Sequence, residues 1–242
     1  MLVAGLASDS QSWNPIIDSL KTHFKVIIFD NRGVGRTTPS DIPLDVHQMA
    51  DDCIALIRHL DLPGVNLLGH SMGGFIAMDC AIRYPEYIDR LILAGTAPFN
   101  SERNNLLFSD WASCVESGMD PELWFRNIFY WVFSKRFFKD SKAVQEAIQF
   151  ELSYPYPQSK AAFRNQVKAI ADFNCSQDLS RIKSKTLVLF GDEDLLFPEK
   201  DCRKLLEIIS DAEFTVIPDA AHSIHMENPA AYTERILEFL QR

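Results

Sequence analysis

The chain has no C-x-x-C pair, no excess of basic side chains and no apolar run approaching the ~20 residues that cross a bilayer. Its five cysteines, Cys53, Cys80, Cys114, Cys175 and Cys202, are odd in number and far apart. Neither a disulfide framework nor a zinc site follows from that spacing, so a reducing cytoplasm is the expected compartment. The N-terminus carries no basic segment and apolar core of a secretory signal. With 24 Lys and Arg against 33 Asp and Glu, the formal charge is −9. Nucleic acid and anionic membranes, which need a basic face, are thereby excluded as main partners. The turn Asp30-Asn31-Arg32-Gly33-Val34-Gly35-Arg36 lacks the third glycine of a dinucleotide fingerprint, because position 38 is Thr. It reads as a structural turn, with Arg32 pairing locally.

What is present points to one domain with a large core: 242 residues, 47% of them hydrophobic. Apolar segments at 1–5, 25–30, 66–69, 90–96, 185–190 and 213–218 alternate with helical patterns at 16–20, 45–60, 75–82, 199–209 and 231–240. Strands apolar throughout predict a mostly parallel sheet flanked by helices on both faces, an α/β architecture. Active groups in such sheets collect at the carboxyl ends of strands.

Between residues 98 and 177 the pattern changes. This third of the chain holds 16 of the 27 aromatic residues, and its nine basic and nine acidic side chains cancel. Breaks at Gly118, Pro121 and Tyr154-Pro155-Tyr156-Pro157 predict helices over 102–117, 121–133, 140–151 and 159–172. The expected organisation is a core of 1–97 and 178–242 with a helical cap of 98–177. Most of the rings would fill the cap's own core. A minority, taken here as Trp111, Trp124, Phe129 and Trp131, together with Trp13, is expected to line an apolar substrate pocket.

The chain is organised around Asn66-Leu67-Leu68-Gly69-His70-Ser71-Met72-Gly73-Gly74, an apolar run that ends in Gly-x-Ser-x-Gly and continues as a helix. So tight a strand-to-helix turn exposes the serine, and Gly69 and Gly73 are required where a Cβ would strike the neighbouring strand or helix. The helix N-terminus directs unpaired N–H groups to the same spot, where they can hold an oxyanion. Serine needs a base to remove its proton, and the base needs a carboxylate to orient it. Two later strand ends supply an acidic loop with Asp192 and Asp194, and a loop with His222 and His225.

In these motifs the whole chain resembles the α/β-hydrolase fold superfamily, in particular its small capped esterases and lactonases. The likeness rests on Ala4-Gly5-Leu6 with Trp13, Asp30-Asn31-Arg32-Gly33, Gly69-His70-Ser71-Met72-Gly73-Gly74, Gly191-x-x-Asp194-x-x-x-Pro198 and His222-x-x-His225-x-Glu227-x-Pro229. It implies Ser71 as nucleophile, Asp194 as triad acid and His222 as general base, with the backbone N–H groups of Leu6 and Met72 as the oxyanion hole. Asp192 and His225 are the rivals; Glu227 is expected to anchor its loop. By the same likeness the helical cap follows the family's sixth strand.

Two features depart from the family. The first loop carries Ala4-Gly5 where His-Gly is usual, removing a side-chain brace. By the likeness the chain begins inside the family's third strand. Either its start is truncated or it is a trimmed version with an exposed sheet edge prone to self-association, a monomer or a homodimer being expected.

The implied chemistry is acyl transfer on an ester or thioester with an apolar acyl group, without metal or organic cofactor. An enol-lactonase is the alternative enzyme, and a ligand-binding receptor on the same fold the non-enzymatic one. The basic stretch around Lys135, Arg136 and Lys139 resembles the surface that pimeloyl-carrier-protein methyl ester esterases offer to an acyl carrier protein.

Overall fold

The computed structural model describes residues 1–38 and 43–242. Its strands are β1 (Leu2–Val3), β2 (Val65–His70), β3 (Ile88–Ala94), β4 (Lys185–Gly191) and β5 (Ala212–Ile217). They form one parallel sheet whose spatial order is the chain order. Eleven α-helices are described: α1 (Asn14–Leu20), α2 (Val46–His59), α3 (Met72–Arg83), α4 (Glu102–Glu116), α5 (Pro121–Val132), α6 (Ser141–Leu152), α7 (Lys160–Ala171), α8 (Glu199–Cys202), α9 (Lys204–Ile208), α10 (Ile224–Glu227) and α11 (Pro229–Leu240). None is long and apolar enough to cross a membrane.

The alternation of side chains along each strand builds two cores. Leu68, Ile92 and Leu187 lie on one rung and enter the core beneath α1 and α11, with Trp13, Tyr232 and Phe239. Their neighbours Leu67, Leu91 and Val188 point the other way, into the core shared with α2 and α3. Both faces are covered, which is why the strands read as continuous apolar runs.

Helix starts follow from capping side chains. Asp45 accepts the Gln48 N–H, Ser101 that of Asn104, Asp120 that of Leu123 and Ser159 that of Ala162, each satisfying an amide the helix leaves unpaired. Helices α4 to α7 all lie between β3 and β4. The two ends of this insertion meet, because the Cys175 N–H donates to the Pro98 carbonyl at 2.9 Å and the Asn100 N–H to the Phe173 carbonyl at 3.0 Å.

Three local expectations need correction. Residues 25–30 make no strand; Ile28 forms a single bridge with Leu2, because two-residue β1 offers its neighbour so short an edge. The helix read over 199–209 is two short ones, α8 and α9, parted at Arg203. The histidine loop contains a one-turn helix, α10, where only loop was expected.

Candidate active site

Ser71 occupies the turn between β2 and α3 with φ 55° and ψ −121°, a region that L-residues rarely adopt. Close packing holds it there. A Cβ on Gly69 would come within 2.1 Å of the Gly73 carbonyl oxygen, and one on Gly73 within 2.1 Å of the Val3 carbonyl oxygen. The Ser71 N–H donates to the Ala94 carbonyl at 2.9 Å, tying the turn to the end of β3.

The end of β4 delivers Asp194, whose side chain is wholly buried. One carboxylate oxygen, Oδ1, accepts the N–H groups of Leu196 and Phe197 at 2.8 and 2.9 Å. The other, Oδ2, lies 2.9 Å from Nδ1 of His222, which follows β5. Asp192 is exposed and caps the neighbouring turn, where its Oδ1 accepts the Ala220 N–H at 3.4 Å. The structure therefore joins Asp194, and not Asp192, to His222. With Nδ1 turned to the carboxylate, the Nε2 lone pair of a neutral His222 is left to face other groups. The Phe197 ring stacks on this imidazole at a centroid distance of 5.6 Å.

Ser71 reaches this pair through the backbone. Gly95, which follows the Ala94 that holds Ser71, is placed so that a Cβ would lie 3.3 Å from His222 Nδ1 and 3.4 Å from Asp194 Oδ2. Among the described residues no hydrogen bond joins the Ser71 hydroxyl to the imidazole. Serine–imidazole bonds are commonly long or misaligned in unliganded sites.

The first loop lies against Ser71, since a Cβ on Gly5 would be 3.2 Å from the Ser71 Cβ. The side-chain brace that Ala4-Gly5 removes is supplied from elsewhere: the Asn31 side-chain amide donates to the Ala4 carbonyl at 3.0 Å. Gln166, buried on α7, accepts the Ala7 N–H at 3.3 Å and donates to the Arg32 carbonyl at 3.2 Å. Among the described residues the N–H groups of Leu6 and Met72 have no protein acceptor.

His70 and His225 lie behind the site. His70 Nε2 is 2.8 Å from the His222 carbonyl oxygen, and its ring lies 4.7 Å from that of His225. Burial, with the nearby His225 and His222, holds His70 well below the usual histidine range. Burial, then His222, lowers His225 to about 3. The Trp13 ring lies tilted against that of His225, with centroids 4.9 Å apart. Glu227 anchors the segment as expected: its carboxylate accepts the Ala221 N–H at 2.7 Å and, across to the insertion, the Ser134 N–H and hydroxyl at 3.0 and 2.6 Å.

A cavity of about 690 Å³ opens between the first loop and the insertion, walled by Trp124, Phe125, Tyr154 and Phe163, while Leu6, Ser71, Met72 and His222 themselves are not on its wall. Of the five aromatic residues expected in a substrate pocket, Trp124 lines this cavity. Trp13 is sealed in the core under α1 and α11. Trp111 is buried against Phe108 and donates to Asn127 at 2.9 Å. Phe129 belongs to a small cluster with Val144 and Ile148. The Trp131 ring is covered by the Arg103 guanidinium, 5.8 Å from its centroid.

The basic stretch serves the site's own loops. The Lys135 N–H donates to Glu193 at 3.2 Å and Arg136 to the Glu227 carbonyl at 3.0 Å, while Lys139 is exposed. Arg32 reaches past its turn to α2, donating twice to Asp52 at 2.9 and 2.5 Å. Among the described residues no group of three His, Cys, Asp or Glu side chains is placed to hold a metal ion.

Sequence reasoning missed Asn31, Gln166 and Ser134 as supports. Only Gln166 left a signal, a polar residue at the apolar spacing of Ala162, Phe163, Val167 and Ile170.

A parallel sheet with a strained serine at one strand end and a buried carboxylate–imidazole pair at two others defines the α/β-hydrolase class. A family profile described as alpha/beta hydrolase fold matches residues 1–229, and the chain belongs to that family. A putative carbamate hydrolase RutD of Rhizobium rhizogenes is 29% identical over 100% of this chain and 92% of its own. A thermophilic esterase from Thermogutta terrifontis, solved with malate bound, is 27% identical with a TM-score of 0.87, covering 99% of this chain and 88% of that one. The enol-lactonase from Burkholderia xenovorans superposes at a TM-score of 0.90 over 100% of this chain and 90% of its own; at 24% identity the likeness is one of fold.

Proposed function

We propose that this protein is a serine hydrolase that cleaves a carboxylic ester through an acyl-enzyme. The observation that carries the reading is the buried 2.9 Å contact between Asp194 and His222, beside a serine held at φ 55°. Asp194 fixes the tautomer in which His222 Nε2 accepts the Ser71 proton. The Ser71 oxygen then bonds to the substrate carbonyl carbon, and the oxyanion takes the free N–H groups of Leu6 and Met72. The imidazolium returns its proton to the departing alcohol. Water attacks the acyl-enzyme with the same imidazole as base, regenerating Ser71 and releasing the acid.

The experiment is hydrolysis of p-nitrophenyl esters of several chain lengths by the wild type and Ser71→Ala, with fluorophosphonate labelling of Ser71. Hydrolysis and labelling that both vanish in the variant support the reading. No hydrolysis and no labelling of the wild type would refute it and favour a ligand-binding receptor.

Relatives named as putative carbamate hydrolases, matched over nearly their whole length, favour a second reading in which the acyl carbon belongs to a carbamate. The same groups would act, with the nitrogen side as the leaving group. Parallel kcat/KM measurements on an ester and a carbamate of equal size separate the two. The carrier-protein partner needs a finer test than charge reversal at all three basic residues. Arg136 holds a loop of the site with its guanidinium, so reversing it would impair small esters as well; Lys139→Glu alone, at a side chain without such a contact, probes docking.

A further inference from the structure

The cavity between the first loop and the insertion is lined by Ala7 and Ser8, which follow Leu6 in the chain, and by Met226, four residues beyond His222. Ser71 and His222 lie outside its wall, so only a substrate arm extending from them would enter it. Its walls are mainly apolar, with several aromatic rings, but its polar groups are unevenly matched. Glu151 is half-buried, and its carboxylate makes no hydrogen bond or ion pair among the described residues. The Gln158 side-chain carbonyl, also on the wall, is buried without a donor, because its amide is spent on the Gly33 carbonyl and Gln166. The Tyr154 hydroxyl is given to Asp9. The nearby Arg36 is held by both carboxylate oxygens of Asp30, at 2.9 Å each. Lys160, the remaining cation on the wall, is exposed to solvent.

Such a cavity offers a carboxylate without a counter-ion. A carboxylate-bearing ligand would meet Glu151 as a like charge, whereas an ammonium on an apolar stem would satisfy Glu151 while its stem lies on the apolar wall. Burial and the neighbouring Asp9 raise the Glu151 carboxyl.

We propose that this cavity receives the substrate's side arm and selects one ending in an ammonium group, with Glu151 as the selecting residue. The proposal rests on the ester-hydrolase reading for the reaction but not for the binding, and the two are tested apart. Turnover is measured with two matched ester series, the variable arm on the acyl side in one and on the alcohol side in the other. Each arm ends in methyl, ammonium or carboxylate. In at least one series kcat/KM should favour ammonium over carboxylate by about tenfold or more, mostly through KM. Glu151→Gln should collapse that ratio, and because the readout is a ratio, a general loss of folded enzyme would not imitate it.

Binding is measured independently by titrating tryptophan fluorescence with n-hexylammonium and with hexanoate. The wild type should bind the amine more tightly, and Glu151→Gln should lose the difference. No preference in either series, a preference for carboxylate carried by Lys160, or an ammonium preference that survives Glu151→Gln would overturn the proposal. Amine binding dependent on Glu151 with no ester turned over would leave the cavity assignment standing and reject the hydrolase reading.

Discussion

His70 Nε2 meets the His222 carbonyl oxygen at 2.8 Å, so the residue before the proposed nucleophile holds the loop of the proposed base. This buried contact spans 152 positions of sequence and fixes the distance between two segments whose side chains must react together. Replacing His70 by Phe strands a buried carbonyl. Unfolding free energy should fall by about 1–3 kcal/mol, and kcat should fall more than KM changes. Urea denaturation and steady-state kinetics check this; a drop in KM affinity with unchanged kcat would argue against a positioning role.

The buried imidazoles also set a pH dependence. His225 titrates near 3 in the folded protein and near its ordinary 6.5 when unfolded, and His70 is lowered in the same direction. Between those values the unfolded chain binds more protons, so stability is complete above about pH 6.5 and declines as pH falls toward 3. Each such histidine contributes a slope of up to about 1.4 kcal/mol per pH unit. His225→Phe should flatten the fall in urea midpoint between pH 6.5 and 4 relative to the wild type. An unchanged slope would mean that His225 is not buried neutral.

Asp194 and Asp192 give a direct comparison. Asp194→Asn keeps the size but loses the carboxylate that orients His222, and kcat should drop by a factor on the order of 10⁴. Asp192→Asn, at an exposed turn, should leave kcat within about twofold, since its single long hydrogen bond is worth little. Ester hydrolysis at pH 7 by both variants decides, and an equal loss would remove the distinction between them.

Glu227 bridges Ala221, next to His222, and Ser134 on the insertion. Glu227→Ala leaves three donors without this acceptor and should cost about 2–3 kcal/mol of stability. Activity should fall even at temperatures where the variant is folded, measured as kcat alongside the unfolding midpoint. Full activity with lost stability would confine Glu227 to a structural role.

Asn31 supplies the brace that Ala4 cannot. Asn31→Leu should loosen the first loop and displace the Leu6 N–H; removal of one oxyanion donor in comparable sites costs about 2.7–4 kcal/mol of barrier. The expected signature is a lower kcat with little change in KM.

The order of strands and helices, the strained turn at Ser71 and the need for Gly69 and Gly73 were written in local sequence. Hydrophobic period and glycine spacing act within a few residues, and the apolar strands could be read as covered on both faces without knowing what covered them. Local pattern misjudged 25–30, where strand formation depends on a partner only two residues long, and it could not separate Asp194 from Asp192 by the residues alone. Trp13, Trp111, Phe129 and Trp131 were readable as aromatic but not as aimed, because which way a ring points is settled by the helix it packs against. The replacement of the missing loop brace by Asn31, and the joining of Ser134 to Glu227, came from chain crossings of 27 and 93 positions. Sequence fixes which groups are available; only the folded chain decides which donor meets which acceptor, since that depends on distances between segments that no local pattern encodes.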